Sequence, residues 1–112
     1  MTNTSNTHMT VIASNNVTCE NIPDVKYNDD TVWGFDVYLA ARLTATTNLY
    51  ANYHIKGINR GDCWVIYTSC IGDTNQDCIL SFNITDDGQL QYSTTNFTGF
   101  SSLIFKYKVI TY

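Results

Sequence analysis

From Val32 onward the chain alternates apolar and polar residues, and this period of two restricts its fold more than any other feature. Successive side chains on a strand point to opposite faces, so sustained alternation marks a half-buried strand. In TVWGFDVYLAARL, Trp33, Phe35, Val37, Leu39, Ala41 and Leu43 share one face, with Gly34, Asp36, Tyr38 and Arg42 on the other. NLYANYHIKGI sends Leu49, Ala51, Tyr53 and Ile55 inward and Asn52, His54 and Lys56 outward. CILSFNI aligns Cys78, Leu80, Phe82 and Ile84, and the closing strand alternates Leu103, Phe105, Tyr107 and Val109 with Lys106 and Lys108. CWVIYTSCI is apolar at nearly every position, which predicts a central strand covered on both faces.

No segment repeats apolar residues at a helical period for more than two turns. Turn residues recur every 8–12 positions or so, the spacing of sandwiches and barrels. Asp86-Asp87-Gly88 predicts a tight hairpin into QLQYS, and Asn96 and Gly99 punctuate the next connection. A strand is expected over about Met9 to Val17. Thr18 to Thr31, which holds the only Pro, reads as a loop. The expectation is an all-β fold: an antiparallel two-sheet sandwich, jelly-roll-like, of six to eight strands. Residues 1–8, rich in Thr and Asn, read as a flexible arm, and residues 9–112 as a single domain.

With 112 residues there is material for one modest core. No apolar run reaches the ~20 residues of a helical membrane span, so none is expected. A net charge of −4 argues against nucleic-acid binding, which wants clustered Lys and Arg. The first residues have neither a basic region nor a continuous apolar stretch, so a secretory signal is not expected there.

Catalytic signals are weak. Of the two His, His8 lies in the arm and His54 is expected to face solvent mid-strand, with no nucleophile motif nearby. The chain therefore reads as no enzyme, with no cofactor. Asp73, Asn75 and Asp77 begin like a calcium loop, but Cys78 stands where Gly is required and Ile84 where Glu is required, so no metal is expected. The spacings of Cys19, Cys63, Cys70 and Cys78 match no zinc pattern. Cys63 and Cys70 would face opposite sides of a strand about 23 Å apart, whereas Cys70 and Cys78 flank a connection and are placed to pair as a disulfide. Without an export signal, buried free thiols are the expectation. Arg60-Gly61-Asp62 spells an integrin-recognised tripeptide, but Gly-Asp is also ordinary turn chemistry. Four glycosylation sequons begin at Asn3, Asn16, Asn83 and Asn96, as expected by chance in so Thr- and Asn-rich a chain.

The remaining candidates are aromatic. Tyr38, Tyr50, Trp64 and Tyr112 fall opposite or beside the core-facing sets, where large rigid rings serve a protein interface or a sugar.

The order "IKGINRGD-x-W", an aromatic strand, "IGD", then "FNITDDGQLQY" and "NFTGF" resembles C-terminal β-domains of fibre-like and other virion surface structural proteins. Such proteins belong to large DNA viruses and tailed phages. The resemblance covers about Val32 to Tyr112. It implies a sandwich or jelly-roll module in the virion, often trimeric, serving particle structure or host attachment, with Arg60-Gly61-Asp62 as an ordinary turn. Its cysteines and the lack of a preceding shaft repeat depart from that pattern.

The leading expectation is thus a viral structural protein: a fibre head, minor capsid or decoration protein assembling through its sheet faces. Its partners would be copies of itself (a trimer favoured), other virion proteins, or a host surface glycan or protein. The alternative is a monomeric carbohydrate-binding module using the same aromatics with Asn52, His54 and Asp36. A secreted adhesion domain using Arg60-Gly61-Asp62 and disulfides is the third reading.

Overall fold

The computed structural model describes residues 9–27, 30–72 and 79–112. Eight strands form, with no helix among the described residues: β1 (Met9–Ala13), β2 (Glu20–Lys26), β3 (Gly34–Thr44), β4 (Leu49–Asn59), β5 (Trp64–Gly72), β6 (Leu80–Ile84), β7 (Gln89–Thr94) and β8 (Ser102–Thr111). They make two antiparallel sheets, a five-stranded one ordered β1-β8-β3-β4-β5 and a three-stranded one ordered β2-β7-β6. The expected all-β two-sheet architecture is what the chain adopts.

The inner face of the larger sheet carries the alternating set. Phe35, Val37, Leu39, Ala41 and Leu43 of β3 are all buried, between Leu103, Phe105 and Tyr107 of β8 and Leu49, Ala51, Tyr53 and Ile55 of β4. Against them the smaller sheet packs Ile22, Val25, Leu80, Leu90 and Tyr92. Two edge-to-face aromatic pairs join the layers, Tyr92 with Phe105 at 5.0 Å and Tyr53 with Phe82 at 5.2 Å. Tyr107 adds a polar tie, its hydroxyl donating to the Pro23 carbonyl at 2.6 Å.

Three expectations are corrected. First, β5 is the edge of its sheet, not a central strand, and from Tyr67 to Gly72 it is exposed. An apolar run shows that a strand is compatible with burial, but only pairing decides whether neighbours cover it. Second, the N-terminal strand stops at Ala13, because Asn15 and Asn16 turn the chain, Asn16 at φ 58°. Third, Glu20–Lys26, expected as loop, is a strand with a wide bulge: Asn21 pairs with Gln91 and Lys26 with Gln89. Asp24 at φ 63° makes the bend. The Gln89 side-chain amide lies among the carbonyls of Ile22, Val25 and Leu90, satisfying groups the bulge takes out of the ladder.

The Asp86-Asp87-Gly88 hairpin joins β6 to β7 as predicted, closed by Thr85 and Gln89 backbone bonds. Gly88 has φ +84°, and a Cβ there would meet the Tyr27 carbonyl, so two independent constraints demand glycine.

Candidate functional site

The two outer faces differ in chemistry. On the three-stranded sheet an amide row runs Asn83 to Gln91 to Asn21, its members hydrogen-bonded at 2.8 Å, as suits a solvated surface. The outer face of the five-stranded sheet is aromatic, aliphatic and cationic. Its register sets Lys108, Tyr38, His54 and Ser69 in one cross-strand row. Thr10, Lys106, Ala40, Asn52 and Ile71 form the next, and Ile12, Ile104, Arg42 and Tyr50 the one after. Ile12 and Ile71 are 79% and 80% exposed.

Every tyrosine of interest on this face carries a cation. Lys108 Nζ lies 5.7 Å from the Tyr38 ring centre, Lys56 Nζ 5.8 Å from Tyr112, and the Arg42 guanidinium 6.0 Å from Tyr50. Tyr38 is also stacked flat on His54, centroids 4.7 Å apart with 3° between planes. Cross-strand neighbours thus flank Tyr38 from both β4 and β8, and the residue stays 42% exposed.

At one end of this face Asp36 is only 4% exposed, although its position in the alternation points outward. It is covered by its own partners: Tyr112 donates to Oδ2 at 2.5 Å, His54 Nε2 lies 2.8 Å from Oδ1, and Lys56 Nζ 3.7 Å from Oδ1. Burial pushes the carboxyl up, but the hydrogen bonds from Tyr112 and His54 and the Lys56 charge outweigh it and hold it below its ordinary 3.8. The same hydrogen bond, with burial, raises the Tyr112 hydroxyl.

Four of the six Lys and Arg residues (Arg42, Lys56, Lys106 and Lys108) stand on this face, and Asp36 is the one acid among the five strands. Two shallow depressions of about 530 and 420 Å³ adjoin across Ala40 and Lys106. Tyr38, Asn52 and Lys108 border one; Arg42, Thr44 and Ile104 border the other. Together they make a trough along β3 and β8 whose floor is the small Ala40 side chain.

The sequence-derived candidates separate accordingly. Tyr38, Tyr50 and Tyr112 are exposed on the outer face, but Trp64 is only 7% exposed and belongs to the core, a correction. It stacks tilted against Phe35 at 5.6 Å and Tyr27 at 6.1 Å. Trp33 shows the reverse: expected in the core-facing row, it is 77% exposed. It precedes the first residue of β3, beyond the reach of the covering sheet, beside Asp30, Asn59 and Gly61. Its position just before a strand-initiating Gly was the available signal.

Arg60-Gly61-Asp62 forms an exposed turn between β4 and β5, with Gly61 at φ +95° and the Arg60 amide donating to the Cys63 carbonyl at 2.9 Å. Cys19 and Cys70 are exposed and Cys63 half-buried, so the expected thiol burial is corrected. Cys78, the calcium-like Asp73 to Asp77, and the arm with His8 and Asn3 lie outside the described residues. No helix among the described residues is long and apolar enough to cross a membrane.

No family model and no curated protein matches this chain. Among solved structures, it is similar to the Acinetobacter phage vB_ApiP_P1 tailspike protein, with a TM-score of 0.57 at 13% identity. The similarity covers 94% of this chain and 22% of that one, so the chain spans about a fifth of the tailspike's length. At that identity the likeness is one of fold.

Proposed function

We propose that this chain is a non-enzymatic β-sandwich module of a virion surface protein, a fibre-head, minor capsid or decoration element, whose larger sheet presents its outer face to a partner. The observation that carries this reading is the contrast between the two outer faces. A solvated sheet is expected to look like the amide-laced smaller one, whereas the larger sheet exposes Ile12, Ile71, Ile104, Tyr38 and Tyr50 interleaved with cations, and a concentration of exposed large apolar groups on one face marks an interaction surface. The tailspike likeness supports the viral setting. The commitment of Asp36 to three donors, with His54 as one of them, supports a structural use of the only acid-histidine pair on the face. The test is immunogold labelling of particles from cells that carry this gene, with an antibody to the folded domain. Label on the particle surface is expected; label confined to soluble lysate protein would overturn the reading.

One observation favours a sugar-binding role as the second reading. The Trp33 indole is open to solvent with Asn59 and Asp30 beside it, a stacking face with polar neighbours. Saturable binding on a glycan array, abolished by Trp33→Ala, would establish it over the structural role.

A further inference from the structure

We propose that the occupant of the outer face is a second copy of this chain, docked head to tail. The loop end that carries Trp33 seats in the Ala40 trough of the next copy. The inference rests on reading the outer face as a contact surface and names what covers it.

Charge rules out the simplest self-contact. Stacking two outer faces about a two-fold axis would set Arg42, Lys56, Lys106 and Lys108 against the same four cations, with a single, already occupied carboxylate on each side. Arg42, Lys106 and Lys108 have no acidic partner among the described residues, and they border the trough. What fits there is an apolar group flanked by acids.

The opposite character is gathered at one end of the same molecule. The β2–β3 connection supplies Asp30, the β4–β5 turn Asp62, and the β6–β7 turn Asp86 and Asp87. The last two connections lie together: the Asp62 and Asp86 charges both bear on Cys63, and Gly88 sits beside the Trp64 indole nitrogen. Lys26, 3.5 Å from Asp87, and Arg60 are the cations there. From this end projects Trp33, with its backbone fixed on both sides. Its amide donates to the Tyr112 carbonyl at 2.8 Å, and its carbonyl accepts from the Asn59 amide at 3.0 Å. A rigidly mounted tryptophan entering a desolvated depression is the usual anchor of a protein interface. The trough offers Ala40 as floor and cations at its walls for Asp30 and Asp62.

The sheet face sets the upper bound on the area this contact can bury. Five strands spaced by about 4.8 Å, with β3 about 36 Å long, give a face of roughly 700 Å², near the roughly 800 Å² per partner of a stable contact. Because donor end and acceptor face are different surfaces, every copy uses both. Such a contact closes into a ring where its rotation permits, three copies giving a trimer, and otherwise runs on as a chain.

The test is light scattering over a concentration series for the wild type, Trp33→Ala, Lys106→Glu and, as an independent trough variant, Arg42→Glu. All three side chains are exposed, and far-UV circular dichroism checks that each variant folds. The wild type should exceed the 12.7 kDa monomer mass and dissociate in high salt, while each variant stays monomeric. An equimolar mixture of Trp33→Ala and Lys106→Glu should form pairs and nothing larger, because one intact end meets one intact trough. A monomeric wild type, variants that assemble normally, or a mixture that stays monomeric would overturn the contact. Particle label with a monomeric chain removes this contact and leaves the virion role standing; Trp33-dependent assembly without label does the reverse.

Discussion

Replacing Tyr107 by Phe takes one oxygen from the interior, and with it the hydrogen bond tying β8 of the larger sheet to the β2 bulge of the smaller. Pro23, which supplies the accepting carbonyl, is exposed, so water can replace the lost donor. Near neutral pH the variant should therefore lose about 1 kcal/mol, the usual net contribution of one such bond. Alkaline pH reverses the comparison. Burial first, then the charges of Asp24 and Tyr27, push the Tyr107 hydroxyl from 10.0 up to about 12. A raised folded-state value means that its contribution is complete below pH 10 and is lost as pH rises from about 10 to about 12. A shift of about 2 units is worth roughly 2.7 kcal/mol, more than the hydrogen bond contributes. Phe has no proton to release. Urea unfolding of both proteins from neutral pH to about pH 12 should show the wild type more stable at first, the curves crossing, and the variant more stable at the top. Apart from Tyr27, whose charge bears on Tyr107, the remaining tyrosines titrate alike in both proteins and cancel in the difference. A stability difference that holds constant across the range would refute the placement of this hydroxyl in a poorly solvated site near Asp24.

Trp64→Ala should cost about 3–5 kcal/mol, because the indole is packed against Phe35 and Tyr27; thermal melts that leave the variant as stable as the wild type would return Trp64 to the surface. Gly57→Ala places a Cβ where the Phe35 ring lies and should cost about 1–3 kcal/mol by overpacking, read as a lowered urea midpoint. Asp36→Asn should reduce stability fully above about pH 5. A lowered carboxylate pKa stabilises above the unfolded value, and that contribution disappears as pH falls through the folded one. The gap from wild type should close on acidification, and a gap that widens below pH 4 would contradict the assignment of Tyr112, His54 and Lys56 as partners of the anion.

The alternation along the chain determined most of the core by itself. Phe35 through Leu43, Leu49 through Ile55, and Leu103 through Tyr107 are buried as their parity requires, because a strand's geometry forces every second side chain to one side. The Asp86-Asp87-Gly88 hairpin was legible for the same local reason: a tight turn needs a residue that tolerates positive φ. Outward placement of Arg42, Lys56, Lys106 and Lys108 also follows from parity alone.

What parity cannot carry is which strands become neighbours. The pairing of β8 with β3 joins residues some seventy positions apart, and only that pairing gathers four of six cations onto one face of a chain whose net charge is −4. Edge position left β5 exposed despite its apolar run, and the limited reach of the smaller sheet released Trp33 while enclosing Trp64. The β2 bulge stayed hidden because Pro23 and Asp24 resemble a loop locally, and the Gln89 amide that supports it comes from a distant strand. Burial direction is a property of a residue and its backbone, whereas coverage, charge clustering and the trough at Ala40 are properties of pairs of strands, which exist only once the sheets have assembled.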